Sequence, residues 1–95
     1  MEYKVYPHVL RGPDGDVAIA RIDGVNTLLV PVSEEIGRGV ARTIGEGIEP
    51  EPVTIEEIEE LCAAYELGVV GLFGLDDGEG LDVLAVETLG LVLER

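Results

Sequence analysis

The acidic residues of this chain are concentrated in one long segment. The 52 residues from 43 to 94 contain fourteen Asp and Glu and no Lys, Arg or His. The same segment is rich in Leu, Val and Ile, which predicts a packed domain with an acidic surface rather than a disordered acidic tail. This half of the chain must therefore fold around an aliphatic core while it carries an almost uncompensated negative charge.

Length and composition limit the core. A chain of 95 residues is predicted to form a single globular domain over residues 1–95. Hydrophobic residues make up 46% of the sequence and aromatic residues only 4%. The core must therefore be built from Val, Leu and Ile, and the chain has few rings on which a nucleobase would stack.

The net charge of −14 limits the partners. Binding to a nucleic acid or to an anionic membrane needs Lys and Arg, so the sequence predicts neither partner. Adaptation to a salt-rich or hot environment explains the acidity without any ligand. The functional explanations are a basic protein surface, a bound cation, and mimicry of nucleic acid at a basic site.

The sequence also predicts a cellular compartment. A single cysteine, Cys62, excludes a disulfide framework within the chain. The first residues lack the basic segment and apolar run of a signal peptide. The longest uncharged apolar stretch, near residues 67–75, is about half as long as the ~18 residues of a membrane helix. We expect a soluble cytoplasmic protein.

Turn signals divide the first third of the chain into three expected strands. Residues 2–10 are predicted to form an edge strand, because Pro7 cannot donate a hydrogen bond to a ladder. The sequence GPDG at residues 12–15 predicts a turn. Asp23-Gly24 is the dipeptide preferred in a two-residue type I′ hairpin, which would join strands over residues 16–22 and 25–30. The prediction is an antiparallel meander.

Two helices are expected next. The first begins after Ser33 as N-cap and ends at Gly45, with Ile36, Val40 and Ile44 as its apolar stripe. The second begins at Thr54, which forms a capping box with Glu57, and is expected to stop at Gly68. Residues 45–52, GEGIEPEP, are interpreted as a connection between the helices.

Aliphatic runs at residues 69–75 and 81–88 predict a final hairpin around the loop DDGEG at residues 76–80. Gly68, Gly71 and Gly74 recur every three residues there and predict a bulge or a close helix contact. The order βββααββ predicts an α+β fold with two layers, in which both helices pack on one face of a mostly antiparallel sheet.

The acidic loop is the candidate metal site. Asp76, Asp77, Glu79 and Asp82 place four carboxylates within seven residues, beside two glycines that let backbone carbonyls join them around a hard cation. Calcium is the first candidate and magnesium the second. The spacing does not match an EF-hand, and Asp and Gly are also ordinary hairpin residues. Asp14 and Asp16 would join the site if both turns lay at one end of the sheet.

The sequence offers little for catalysis. Cys62 lies on the apolar face of its predicted helix, and His8 stands beside Pro7 without a second His. Ser33 is the only serine, so a nucleophilic triad is not predicted. Arg38 and Arg42 are interpreted as surface residues that form ion pairs. The leading hypothesis is a non-catalytic accessory or interaction module, and the alternative is a calcium- or magnesium-binding protein.

Overall fold

A computed structural model describes residues 7–74 and 81–93 of the chain. Its strands are β1 (His8–Arg11), β2 (Ile19–Ile22), β3 (Val25–Pro31), β4 (Glu49–Pro52), β5 (Val69–Phe73) and β6 (Leu81–Ala85). Its helices are α1 (Glu34–Ile44), α2 (Ile55–Ala64) and α3 (Leu89–Leu93), the last preceded by a 3₁₀ turn at Val86–Thr88. This mixture of helices and strands confirms the predicted α+β class.

The described strands form two sheets. β1 pairs with β4, and the other four strands follow the order β2-β3-β5-β6. β1–β4, β2–β3 and β5–β6 are antiparallel, while the central pair β3–β5 is parallel. The prediction of a mostly antiparallel sheet is confirmed. The parallel pair needs a long crossover, which contains α1, β4 and α2.

The tight turns follow the sequence signals. Asp23 and Gly24 both have positive φ, at 51° and 80°, as a type I′ turn requires. In the preceding turn, Gly15 N donates to Gly12 O over 3.0 Å. Both predicted turns are therefore confirmed, because each depends on residues adjacent in sequence.

The predicted three-stranded meander is wrong at its first strand. β1 pairs along its length with β4, whereas it meets the segment before β2 only at its end, through an isolated bridge between Arg11 and Val17 and a hydrogen bond from Ala18 N to Leu10 O over 2.8 Å. The partner strand lies in the segment interpreted as a connection. Pro50 and Pro52 made this strand hard to predict from the sequence. Proline cannot donate a hydrogen bond to a strand ladder and is confined to edge strands, and β4 is an edge strand.

The last segment also differs from the prediction. β6 ends at Ala85, and the chain then turns into helix, with Thr88 Oγ1 donating to Ala85 O over 2.7 Å. Leu89 is fully buried in the core. A short apolar run does not distinguish a buried strand from a buried helical turn, so the extension of the strand to residue 88 was wrong.

Both helix N-termini have the predicted caps. Ile36 N donates to Ser33 Oγ over 3.2 Å at the start of α1. At α2, Glu57 N donates to Thr54 Oγ1 over 3.1 Å and Thr54 N donates to Glu57 Oε1 over 2.9 Å. The C-terminus of α2 differs, since the helix ends at Ala64 and the left-handed residue is Glu66, with φ of 57°, rather than Gly68.

The caps predict a ranking of two substitutions. Thr54→Ala should lower the free energy of unfolding by about 0.5–2 kcal/mol, because it removes one of the two capping-box bonds. Ser33→Ala should cost less, because α1 contains two glycines and its cap makes a single bond. Chemical denaturation of both variants measures the difference. A larger loss for Ser33→Ala would contradict the ranking.

The two long helices lie on opposite sides of β3. Leu28 and Val30 pack in a cluster with Ile58 of α2, whereas Leu29 packs in a second cluster with Ala41 of α1. Because consecutive strand residues point to opposite faces, the helices cover different faces. The prediction that both pack on one face is wrong, and β3 is buried from both sides.

The packing face of α1 also differs from its apolar stripe. The buried residues of the helix are Gly37 and Ala41, whereas Ile44 is 45% exposed. A Cβ atom on Gly37 would lie 2.7 Å from Pro50 Cβ. The glycine therefore permits close packing of α1 on β4. Gly74, with φ of 82°, lies against Ile36 in the same way. The predicted close helix contact is therefore found at Gly74 alone, since Gly71 faces Leu81 and Thr27 of neighbouring strands and a Cβ atom on Gly68 would meet no atom within 4 Å.

Candidate functional site

The predicted cation site lies mostly outside the described residues. Asp76, Asp77 and Glu79 fall in the segment 75–80, and Asp82 is exposed on β6. Within residues 7–74 and 81–93, no group of three metal-ligating side chains is present. Asp16 accepts a hydrogen bond from Tyr65 Oη over 3.2 Å. The cation site stays a prediction.

A calcium titration tests that prediction. If the loop binds calcium, the amide signals of residues 76–82 should shift and saturate in the range of about 10⁻⁴–10⁻³ M. Replacing Asp77 and Glu79 by Asn and Gln should remove these local shifts and leave the fold intact. Equal shifts from sodium at matched ionic strength would show screening and no site.

Arg38 and Arg42 have the predicted surface positions. Arg38 Nη2 lies 3.6 Å from Glu34 Oε1, and both side chains are more than half exposed. The two arginines border an open cleft of about 410 Å³ between α1 and β4, together with Glu46 and Glu49. Because this cleft carries both signs of charge, it offers no preference for a phosphate group.

The nucleophilic groups have structural positions. Cys62 is buried in the core, and burial together with the carboxylate of Glu59 raises the pKa of its thiol. The thiol is therefore protonated and unreactive at neutral pH. His8 is buried in β1, and the Ser33 hydroxyl caps α1.

The structure places an apolar groove where the sequence predicted no site. It is a hollow of about 400 Å³ between α1 and the adjacent sheet face. Its lining residues come from α1 and from all four strands of the larger sheet: Ala20, Ile22, Leu29, Val40, Thr43, Ile44, Phe73 and Leu81. None of these side chains carries a charge.

The sheet face extends this apolar surface beyond the groove. Leu29, Gly71 and Val83 are paired across three strands, and side chains at paired positions point to the same face. Val83 is 48% exposed and Val25, on the same face as Leu29, is 49% exposed. We call this surface, together with the groove lining, the groove face. It is an uncharged apolar surface on a protein with net charge −14.

Sequence reasoning missed the groove because it assumed one buried face and one solvent face. The signal was present as alternate apolar residues in β6, where Leu81, Val83 and Ala85 share a side. Ile44 at the end of α1 was assigned to a buried stripe, although the structure leaves it at the groove wall. Of the exposed large apolar residues in the described part of the chain, Val25, Ile44 and Val83 lie on the groove face, whereas Ile19, Tyr65 and Leu91 lie elsewhere.

The carboxylates outside the groove face have few cationic partners. Arg11 Nη2 lies 2.7 Å from Glu51 Oε2, between side chains that are 36% and 49% exposed, so the pair adds little stability. Six Lys and Arg cannot neutralise twenty Asp and Glu in any arrangement. Most of the negative charge therefore remains on the surface.

Salt should stabilise this protein. The repulsion among its carboxylates opposes compaction, and the screening length falls from about 10 Å at 0.1 M to about 3 Å at 1 M salt. The Tm should therefore rise as NaCl increases from low to molar concentration. Melting curves with NaCl and KCl should agree, since both salts act by screening. A flat or falling Tm would contradict the role given to repulsion.

Comparisons with known proteins do not assign a family. No protein-family model matches the chain, and no curated protein matches it significantly. In the described part of the chain, no helix combines the length and the apolar character needed to cross a bilayer.

Proposed function

We propose that the protein is a non-catalytic interaction module that binds a basic protein surface. The observation that carries the proposal is the uncharged groove face, which is set in a molecule of net charge −14. Large contiguous apolar patches on a protein surface are typical of binding sites. The net charge selects the sign of the partner.

The carboxylates and the groove face contribute to binding in different ways. Long-range attraction by the carboxylates steers a cationic partner and raises its association rate. The groove face then supplies apolar area, which gives contact energy that salt does not screen. A surface adapted only to salt would need the carboxylates but not the groove, so the groove favours a partner over adaptation alone.

The position of the reactive groups supports a non-catalytic role. The Cys62 thiol is buried among core side chains with Ile58 and Leu67, and the Ser33 hydroxyl accepts a hydrogen bond from a backbone amide. Both side chains therefore contribute to the fold, Cys62 by packing and Ser33 by capping α1. The floor of the groove presents aliphatic and aromatic side chains, which bind but do not transfer protons.

We also propose a cytoplasmic location. Cys62 is a free thiol, and free thiols persist in the reducing cytoplasm. The burial that raises its pKa also protects it from oxidation.

The charge preference is tested with two labelled helical peptides of about 18 residues, or about five turns. Both carry Leu at the same positions, and one has Lys where the other has Glu. Fluorescence anisotropy at about 0.15 M NaCl, where the Debye length is about 8 Å, should show saturable binding of the Lys peptide and none of the Glu peptide. Absence of binding by the Lys peptide, or equal binding of both, would contradict the proposed function.

A further inference from the structure

We infer that the occupant of the groove face is a basic amphipathic helix of a partner protein, which lies across the sheet beside α1. This inference rests on the proposed function and names the form of the partner. It depends on three observations, which are an incomplete helical layer, the apolar lining of the groove, and the net charge of −14.

Among residues 7–74 and 81–93, the layer on this side of the sheet is incomplete. On the opposite face, α2 covers Leu28, Val30, Val70 and Leu72, all fully buried. On the groove face, α1 covers Leu29, while Val25 and Val83 remain about half exposed. A sheet with an apolar face is stable when another element covers it. A helix beside α1 would complete the layer.

The dimensions of the groove fit a helix. Its lining crosses all four strands, from Ile22 of β2 to Leu81 of β6. Four strands spaced about 4.8 Å apart span roughly 15 Å, which is the length of about ten helical residues. Val40, Thr43 and Ile44 of α1 form one wall. A helix with apolar residues at positions i, i+3, i+4 and i+7 presents a stripe of this length.

The charge of the protein distinguishes between a partner protein and a second copy of the chain as the occupant of the groove face. The exposed charged residues next in sequence to the groove lining carry both signs: Arg21 and Asp23 flank Ile22, Arg42 precedes Thr43, and Asp82 follows Leu81. The sign of the partner therefore follows from the net charge of −14 and not from these neighbours. Two copies of charge −14 would repel each other. Charge complementarity therefore favours a cationic helix.

The test separates groove contact from general attraction by adding negative charge. Val83→Glu and Ile44→Glu each place a carboxylate on the groove face from a different element. Leu91→Glu is the control, because Leu91 is 83% exposed on α3 and is not among the groove-lining residues. The probe is the amphipathic Lys/Leu peptide, with a scrambled peptide of equal composition. Melting curves verify that each variant is folded.

We expect both groove variants to bind the amphipathic peptide about tenfold more weakly than the wild type, a change that corresponds to about 1.4 kcal/mol. If binding were due to electrostatic attraction alone, the variants would bind the peptide more tightly than the wild type, since each variant is more negative. Leu91→Glu should bind as tightly as the wild type or slightly more tightly. The scrambled peptide should bind weakly to all four proteins, because it cannot present an apolar stripe.

Other outcomes overturn the inference in distinguishable ways. Equal binding of the amphipathic and scrambled peptides, undiminished in both groove variants, would leave a basic partner but remove the helix and the groove. Failure of the wild type to bind any Lys peptide would remove the proposed function itself. Sedimentation of the protein alone is a separate measurement. Salt-promoted dimers that Val83→Glu dissociates would identify a second copy as the occupant.

Discussion

Replacing either Leu28 or Leu29 by Ala should lower the free energy of unfolding by about 2–5 kcal/mol. The reason is that β3 is buried on both faces. Leu28 has no exposed surface and packs on the side of α2, whereas Leu29 is 6% exposed and packs on the side of α1. Each truncation removes buried methyl groups and leaves a cavity. Urea denaturation followed by circular dichroism measures both losses.

Asn26 provides the matched control in the same strand, because its side chain is exposed. Asn26→Ala should change stability by no more than about 0.5 kcal/mol, as surface substitutions usually do. If β3 were buried on one face only, truncation of one leucine would lower the free energy of unfolding strongly and truncation of the other would not. If Leu29→Ala were as mild as Asn26→Ala, the burial of β3 on both sides would be wrong.

The second large effect concerns Gly37 in α1, a position at which helix propensity alone would favour alanine. Gly37→Ala should destabilise the protein by about 1–3 kcal/mol, the usual cost of overpacking. The added Cβ would lie 2.7 Å from Pro50 Cβ, and the proline ring of β4 cannot move aside as a flexible side chain would. Thermal and chemical unfolding of the variant measure the loss.

Gly39 in the same helix is the control, because its substitution by alanine is expected to change stability in the opposite direction. It is exposed, and a Cβ atom added to it would meet no neighbouring atom within 4 Å. Gly39→Ala should therefore stabilise the protein by about 0.5–1 kcal/mol through helix propensity. If both substitutions were stabilising, α1 would not pack closely on β4, and the position of the helix would be incorrect.

The features that the sequence predicted correctly depend on near neighbours in the chain. The type I′ turn at Asp23-Gly24 and the capping box of Thr54 and Glu57 each involve residues within three positions of one another. Their geometry is determined by local backbone preference and by short hydrogen bonds. Because these signals do not depend on contacts distant in sequence, both predictions were confirmed.

The features that were missed depend on partners distant in sequence. β4 exists because β1 lies beside it, with Leu10 opposite Pro50, and its local sequence EPEP has little strand preference. α3 forms where Leu89 reaches the core. In both cases tertiary contact overrides propensity, and one sequence does not reveal which segments will meet.

The candidate site divides in the same way. The negative charge was evident in the sequence, because it is a count of side chains. The groove was not, because it arises from α1 covering one part of a sheet face and leaving Val25 and Val83 open. The loop with Asp76, Asp77 and Glu79 lies outside the described residues, so calcium binding remains a prediction.

The central claim is that a cationic helix binds the groove face, and chemical-shift mapping of the wild-type protein with the Lys/Leu peptide tests it most directly. We predict saturable shifts at the amides of Ile22, Thr43 and Val83, with little change along α2 on the opposite face. Shifts concentrated at Glu57 and Glu60 of α2, or spread evenly over all acidic segments, would contradict it.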